Sequence, residues 1–260
     1  MRSRSTLLPR YYSVELVRRK RVSSNLFLLR FRVLGRLHVE PEPPQFVMLW
    51  VPGLEAIPMS IAGYDPSDEV LEFLVKPVGS TTSKLAEARA PEYMGVYGPL
   101  GKPWYPSGRR ILFLAGGSGV APILHFARKR CNGRLCHVVF GAWRFDEVGE
   151  IPSLLSSLGV SVTTACLDEG CDIKGTLVDA YKTLSVEEYD EIVVSGPIEV
   201  LRKIAVERKQ GIRHYYILEA IVKCGIGLCS SCRLPGTSLL LCVDGPLFPH
   251  HLVEEVLLEA

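Results

Sequence analysis

The sequence predicts two domains of different class and a terminal binding segment. An N-terminal antiparallel β-barrel is expected over residues 1–107, and an α/β domain with a parallel sheet over 108–217. A cysteine-rich, cluster-type loop segment follows over 218–260. Three observations carry this. Short segments rich in β-branched and aromatic residues, punctuated by Pro and Gly, fill the first hundred residues. After Pro106-Ser-Gly108, apolar strand-like runs alternate with helix-like stretches. Four of the eight cysteines fall between Cys224 and Cys242.

In the first domain, strands are expected at Tyr12–Val17, Leu26–Val33, Gln45–Val51, Met59–Ala62, Glu69–Lys76 and Tyr93–Tyr97. Turn signals such as Glu40-Pro-Glu-Pro-Pro44 and Tyr64-Asp-Pro-Ser67 separate them. One helix is expected, at Ser83–Ala90. Short strands at this spacing suit a small closed barrel.

In the second domain, the apolar run Arg110–Ala115 leads into Gly116-Gly-Ser-Gly119 and then a helix, Val120–Arg130. Alternation continues through Arg134–Phe140, Ile151–Leu158, Val160–Ala165, Leu177–Leu184, Glu191–Ser195 and Ile198–Lys209. Such alternation implies a parallel sheet covered on both faces. The last 40 residues read as irregular, and His250-His251 as a solvated tail.

The strongest chemical signal is Cys224-Gly-Ile-Gly-Leu-Cys229-Ser-Ser-Cys232, with Cys242 further on. The spacing C-x4-C-x2-C-x9-C begins like the plant-type ferredoxin arrangement, so four thiolates can hold a [2Fe–2S] cluster. Gly225 and Gly227 let the loop wrap and free N–H groups toward sulfur. A four-cysteine structural zinc site is the alternative, although zinc ribbons usually show two Cys-x2-Cys knuckles and only one stands here. The other four cysteines, Cys131, Cys136, Cys166 and Cys171, are expected to pack as small hydrophobes, because disulfides are disfavoured in an intracellular chain.

Gly116, Gly117, Ser118 and Gly119 sit at a strand-to-helix junction, where backbone can approach a pyrophosphate and a helix N-terminus favours its charge. Pro122 suits the first helical turn. A tight structural turn is the alternative. Ser195-Gly196-Pro197 ends a later strand and can face the same crevice. In the barrel, Pro58-Met-Ser-Ile61 opens a strand. Gly79, Ser80, Thr81 and Thr82 precede a helix, as a plain N-cap or as a second diphosphate site.

Composition sets outer bounds. The chain has 260 residues, 47% of them apolar, with 30 basic and 28 acidic side chains. That balance does not favour a nucleic-acid ligand, which needs a basic excess on one face. No apolar run approaches the roughly 18 residues of a spanning helix, and no signal peptide is read at Met1–Arg10, so no membrane association and a cytoplasmic location are expected. Only two Asn and two Gln occur, Asn25, Asn132, Gln45 and Gln210, which hints at a thermophilic source.

Taken together, these pieces resemble the ferredoxin reductase superfamily, in which a flavin-binding barrel precedes a nicotinamide-binding domain. The cysteine loop narrows the resemblance to the iron–sulfur electron-transfer subunits of NAD-dependent dihydroorotate dehydrogenase. The matching stretches include Gly98-Pro-Leu-Gly101, Lys174-Gly-Thr-Leu-Val-Asp179 and Cys242-Val-Asp-Gly-Pro-Leu-Phe248, and they run from about Tyr11 to Phe248.

The resemblance implies FAD at Ile57, Pro58, Met59, Ser60, Leu74, Val75, Lys76, Gly79, Ser80, Thr81 and Thr82. It implies NAD at Gly116–Gly119 and Ser195–Pro197, and [2Fe–2S] on Cys224, Cys229, Cys232 and Cys242. No catalytic residue of its own is implied, and Glu219 is expected to be structural. The implied partner is an FMN-containing catalytic subunit, two copies of each chain forming a heterotetramer in pyrimidine biosynthesis. Electrons would run from FMN through [2Fe–2S] and FAD to NAD⁺.

Three departures stand out. Ile57 occupies a position where relatives often carry a diphosphate-binding Arg, which keeps FMN open beside FAD. Ser195 stands where many relatives have Cys. The interval from Cys232 to Cys242 is short. The rival readings are a subunit of an NAD(P)H-dependent ferredoxin or sulfide oxidoreductase or of a cytoplasmic hydrogenase, and a non-catalytic zinc or redox-sensing module.

Overall fold

A computed structural model describes residues 9–258. The barrel is built from β1 (Arg10–Arg21), β2 (Phe27–Val33), β3 (Phe46–Trp50), β4 (Ile57–Asp65), β5 (Val70–Val75) and β6 (Glu92–Leu100). These close in the order β1-β2-β5-β4-β3-β6, every pairing antiparallel. Alternation explains the closure. Along β6, Met94, Val96 and Leu100 are buried while Tyr93 is exposed. The inward set, including Val14, Phe31, Leu49, Ile61 and Phe73, forms the barrel core.

The one barrel helix, α1 (Ser80–Glu87), begins three residues earlier than the sequence suggested. Its N-cap is Gly79, and the Val78 and Gly79 N–H groups both donate to Thr82 Oγ1, at 3.0 and 2.9 Å. The hydroxyl run is therefore the first turn of the helix and not its leader.

The second domain contains β7 (Arg110–Gly116), α2 (Val120–Arg130), β8 (Leu135–Gly141), α3 (Phe145–Val148), α4 (Ile151–Ser156), β9 (Ser161–Cys166), β10 (Ile173–Lys174), α5 (Leu177–Thr183), β11 (Glu191–Ser195), α6 (Ile198–Val206) and β12 (Arg213–Ile217). The chain then forms the one-turn α7 (Leu241–Asp244), β13 (Leu247–Pro249) and α8 (His250–Leu258). The seven-stranded sheet runs β10-β9-β8-β7-β11-β12-β13, parallel except for the β12–β13 pair.

The chain's end is thus ordered where the sequence read as irregular. Leu247 pairs with Ile217, and α8 buries Val253 and Leu257 while packing on α6. His250 is not a solvated tail residue. It is buried, with its ring 5.8 Å from that of Tyr216, and burial lowers its pKa; only His251 is exposed.

Helix α2 joins the two domains. Its residues Val120–Ala127 are all buried, and it packs against β4 of the barrel. Its basic last turn reaches barrel-domain carboxylates. Arg128 Nη2 lies 2.6 Å from Glu72 Oε2, Lys129 pairs with Glu40, and Arg130 pairs with Glu42. Glu72 is buried and also meets Arg30 Nε at 3.1 Å. Cations at a helix C-terminus also suit the helix dipole. His125, fully buried in the same helix, has no partner for either ring nitrogen, and desolvation lowers its pKa to about 3, so it stays neutral. The interdomain linker is fixed as well. Buried Glu191 accepts from Ser107 Oγ at 2.8 Å and from the Gly108 N–H at 3.1 Å.

The four scattered cysteines do not pack as free thiols. Cys131–Cys136 and Cys166–Cys171 are disulfides, each with Cα atoms 5.8 Å apart and a sequence separation of five. The first ties the end of α2 to β8 across a turn. The second closes the loop after β9. Disulfides are common in proteins of hyperthermophiles, in keeping with the scarcity of amide side chains. Closing so short a loop contributes about 2 kcal/mol on chain-entropy grounds. Alkylation of the denatured, metal-free, unreduced chain should modify Cys224, Cys229, Cys232 and Cys242 alone. Peptide mass spectrometry that found the other four alkylated without reductant would contradict the pairing.

Candidate functional site

The sheet order changes direction between β7 and β11: β8 to β10 lie on one side, β12 and β13 on the other. At such a switch point, loops leaving neighbouring strands in opposite senses open a crevice at the carboxyl edge. Both expected nucleotide turns lie there, Gly116–Gly119 after β7 and Ser195–Pro197 after β11.

The two turns interlock, which explains their glycines. A Cβ on Gly119 would sit 2.6 Å from the Gly196 nitrogen, and one on Gly116 would sit 3.2 Å from Pro197 Cδ. Gly196 itself adopts φ +146°, a left-handed value that glycine tolerates.

The crevice has a volume of about 520 Å³ and is bounded by both domains. The barrel contributes Ile57, Pro58, Met59 and Ser60 from β4 and Leu74 from β5, then Lys76 and Gly79–Thr82 at the start of α1. The sheet contributes Ser118, Gly119 and Ser195. Of the residues expected to bind nucleotides, Val75, Gly116, Gly117, Gly196 and Pro197 do not line it. Val75 points into the barrel core, and Gly116 is buried beneath Gly196 and Pro197.

The sequence reading missed a third wall. Ile217, Leu218, Glu219 and Ala220 leave the carboxyl end of β12 and line the crevice, as do Val222, Leu241 and Pro246. Recognising Arg213–Ile217 as one more parallel strand would have brought its trailing residues to the same edge. Glu219, read as structural, is a lining residue exposed to the crevice, where desolvation raises its carboxyl pKa. Lys76 is the single cation among the lining residues, and Ile57 offers no charge. The N-cap residue of α1, Gly79, makes no side-chain cap and the first turn holds no acidic residue, so the N-terminus suits an anion.

The third wall shares its packing with the cysteine loop. Leu218, Val222 and Leu241 belong to the same packed cluster as Cys232 and Cys242. The loop wraps through three left-handed residues, Gly225 (φ +69°), Gly227 (φ +79°) and Ser230 (φ +57°). A Cβ on Gly225 would meet Leu100 Cδ1 at 2.7 Å, and one on Gly227 would meet Val243 Cγ2 at 2.8 Å.

All four thiols are free and they gather in two pairs. Cys232 Sγ lies 3.3 Å from Cys242 Sγ, and the Cys229 N–H donates to Cys224 Sγ at 3.4 Å. No three donors converge on one point among the described residues. Two pairs suit a two-iron cluster with two thiolates on each iron better than one tetrahedral zinc. Hydrogen bonds from Ser231 lower the Cys229 pKa to about 6. Burial, then the neighbouring Cys232 thiol, raises Cys242 to about 12. Cys229 is exposed while Cys232 and Cys242 are buried, so the loop has one edge at the surface.

Comparison with known proteins agrees with this geometry. The iron–sulfur cluster binding domain of dihydroorotate dehydrogenase B matches residues 219–254, which include all four clustered cysteines. A probable dihydroorotate dehydrogenase B (NAD(+)) electron transfer subunit from Archaeoglobus fulgidus is 34% identical over 251 residues, 91% of this chain and 97% of the relative. Similarly named proteins from Pyrococcus furiosus (34% identical, covering 84% and 83%) and Methanopyrus kandleri (35%, covering 80% and 79%) also match. Among solved structures, an NADH-dependent reduced ferredoxin-NADP oxidoreductase aligns with TM-score 0.81 and 26% identity over 96% of this chain and 91% of that one. A ferredoxin reductase of carbazole 1,9a-dioxygenase shares the fold at TM-score 0.69, with 18% identity over 78% and 67%. With its barrel, switch-point crevice and paired thiols aligned along nearly its whole length, the chain belongs to the family of dihydroorotate dehydrogenase B (NAD(+)) electron transfer subunits.

Proposed function

We propose that this chain conducts electrons from an FMN-containing dihydroorotate dehydrogenase catalytic subunit to NAD⁺, holding FAD and a [2Fe–2S] cluster for the purpose. The observation that carries the reading is the shared wall. Flavin-type barrel residues and both nucleotide turns line one crevice, and Leu218, Val222 and Leu241, which line it too, belong to the same packed cluster as Cys232 and Cys242. A flavin exchanges both hydride and single electrons, which is the chemistry required between a nicotinamide and an iron–sulfur centre.

The chain's own residues bind and orient. Met59, Ser60 and Leu74 would flank the flavin ring and its ribityl chain. Gly79 to Thr82 would receive phosphate at the start of α1. Lys76 would supply the positive charge that Ile57 lacks, a charge-assisted contact to the diphosphate of FAD. Ser118, Gly119 and Ser195 would hold the nicotinamide nucleotide, and the interlocked turns would keep its phosphates on backbone N–H groups. Cys224, Cys229, Cys232 and Cys242 would ligate the cluster. No residue is assigned as a base for C–H abstraction, so oxidation of dihydroorotate falls to the partner. Among the described residues no helix is long and apolar enough to cross a membrane. A cytoplasmic location belongs to the same proposal, since NAD⁺ and the partner must both be within reach. The likeness to the ferredoxin-NADP oxidoreductase supports a second reading, in which the electrons come from ferredoxin.

Mixing the purified chain with the catalytic subunit of the same organism separates these readings. Dihydroorotate-dependent NAD⁺ reduction should appear in the mixture and be absent from either part alone. Turnover by the isolated chain, or turnover restored by ferredoxin and never by the catalytic subunit, would overturn the proposal. Cys229→Ser should lower iron content from two atoms per chain toward zero while flavin content and NADH oxidation by a direct flavin acceptor persist; parallel loss of both in a folded protein would contradict separate sites. Lys76→Ala should weaken FAD binding about tenfold, the size expected for one charge-assisted hydrogen bond. Fluorescence titration of the flavin-free chain checks this, and an unchanged affinity would remove Lys76 from the site.

A further inference from the structure

The cysteine loop alone is a small docking surface. It exposes Ile226 and Leu228, at 38% and 79%, whereas Leu234 is buried. A stable interface takes about 800 Å² from each partner. A partner that reaches the exposed edge of this loop must therefore also cover a neighbouring surface.

That neighbour is the outer face of the barrel. Tyr97 touches the loop at Gly225, where an added Cβ would lie 3.5 Å from its ring. Across the β1–β6 ladder Tyr97 faces Tyr11, and their rings meet at a 32° tilt with centroids 4.5 Å apart. Two positions back along β6, Gly95 is overlain by Trp50 of β3, whose Cε3 would stand 3.2 Å from an added Cβ. Two further back is Tyr93.

Positions two apart share a face of a strand. Tyr11, Trp50, Tyr93 and Tyr97 thus form one outward strip about 13 Å long on β6, continuous with the cluster loop. Tyr11, Tyr93 and Trp50 are 82%, 58% and 47% exposed. The charge nearest in register, Glu15 opposite Tyr93, is already paired with Arg32 at 3.7 Å. Tyr and Trp are the residues enriched in interface cores and hot spots, and an apolar run of aromatics serves no purpose in the barrel's own core.

We infer that this aromatic strip is the second half of the docking surface for the flavoprotein catalytic subunit, extending the contact made by the cluster loop onto the barrel. The inference rests on the electron-transfer function proposed above, which supplies the occupant. Its separate content is which barrel face the partner covers.

The test uses the cofactor-loaded chain and the catalytic subunit of the same organism, with affinity measured by calorimetry. Tyr11→Ser/Tyr93→Ser should weaken the complex at least about tenfold and leave flavin and iron content unchanged. Tyr93→Phe should bind like the parent. Val206→Ser, at an exposed apolar position on α6, should also bind like the parent. If the unaltered chain does not bind the catalytic subunit at all, the functional reading fails. If it binds and the double variant binds equally well, the strip inference alone fails. A double variant that loses self-association in sedimentation but keeps its affinity for the partner would assign the strip to a second copy of this chain and overturn the inference.

Discussion

The seating of α2 against the barrel is the constraint on which the site depends. Neither domain contains the crevice alone: β4 and α1 supply one wall, the carboxyl edge of the sheet another. A small rotation between them would change its width. Helix α2 prevents this in two ways. Its apolar first two turns are buried, and its last turn places Arg128, Lys129 and Arg130 on Glu72, Glu40 and Glu42. Glu72 is the decisive partner, because it alone is buried and takes two arginines. Each arginine side chain is 33% exposed, so solvent screens part of the attraction and spares part of the desolvation cost. The same helix begins at the glycine turn that lines the crevice. Domain orientation and one wall of the crevice therefore share one rigid element.

The chain's end follows from the same requirement. An iron–sulfur loop on a free tail could not hold a fixed distance from a flavin. Here the loop is anchored at both ends: β12 enters it from the parallel sheet, and β13 returns to pair antiparallel with β12. The Leu218 N–H also donates to the Pro246 carbonyl at 3.0 Å. Residues on either side of the loop thereby become part of the crevice wall, and Cys232 and Cys242 share their packed cluster. Interlocked glycines do the equivalent work at the other wall, where Gly119 and Gly196 approach too closely for any side chain.

Much of this was legible in the sequence, for identifiable reasons. Barrel strands are rich in β-branched and aromatic residues and punctuated by Pro and Gly, the β7 strand is a continuous apolar run before glycines, and the four cysteines stand at a spacing with few chemical uses. What escaped was set by tertiary context. Arg213–Ile217 carries two tyrosines and a histidine, and its burial comes from β11 and β13 pairing on either side. The segment from Leu247 is too short to announce a strand. His250 looked solvated because its partner, Tyr216, is 34 positions away. The start of α1 was misjudged because Thr82 caps backward onto Gly79, so hydroxyls that resemble a loop are helical.

The cysteines show why pairing cannot be read from residue type alone. One chain keeps four thiols free and oxidises four others. Both disulfides join residues five apart, and each is closed by secondary structure that forms locally, α2 with β8 and the loop after β9. Cys224 and Cys229 have the same separation of five, yet they are not bonded. A left-handed glycine alone does not make the difference, since Gly133 and Gly170 in the disulfide loops also take positive φ. Gly225 and Gly227 take left-handed angles that carry the chain around the two sulfurs and direct the Cys229 N–H at Cys224 Sγ. A loop that aims N–H groups at sulfur stabilises thiolate, the form a metal cluster requires. Spacing therefore sets which cysteines can meet, and whether they meet as a bond or as a ligand pair depends on where the loop between them points its N–H groups.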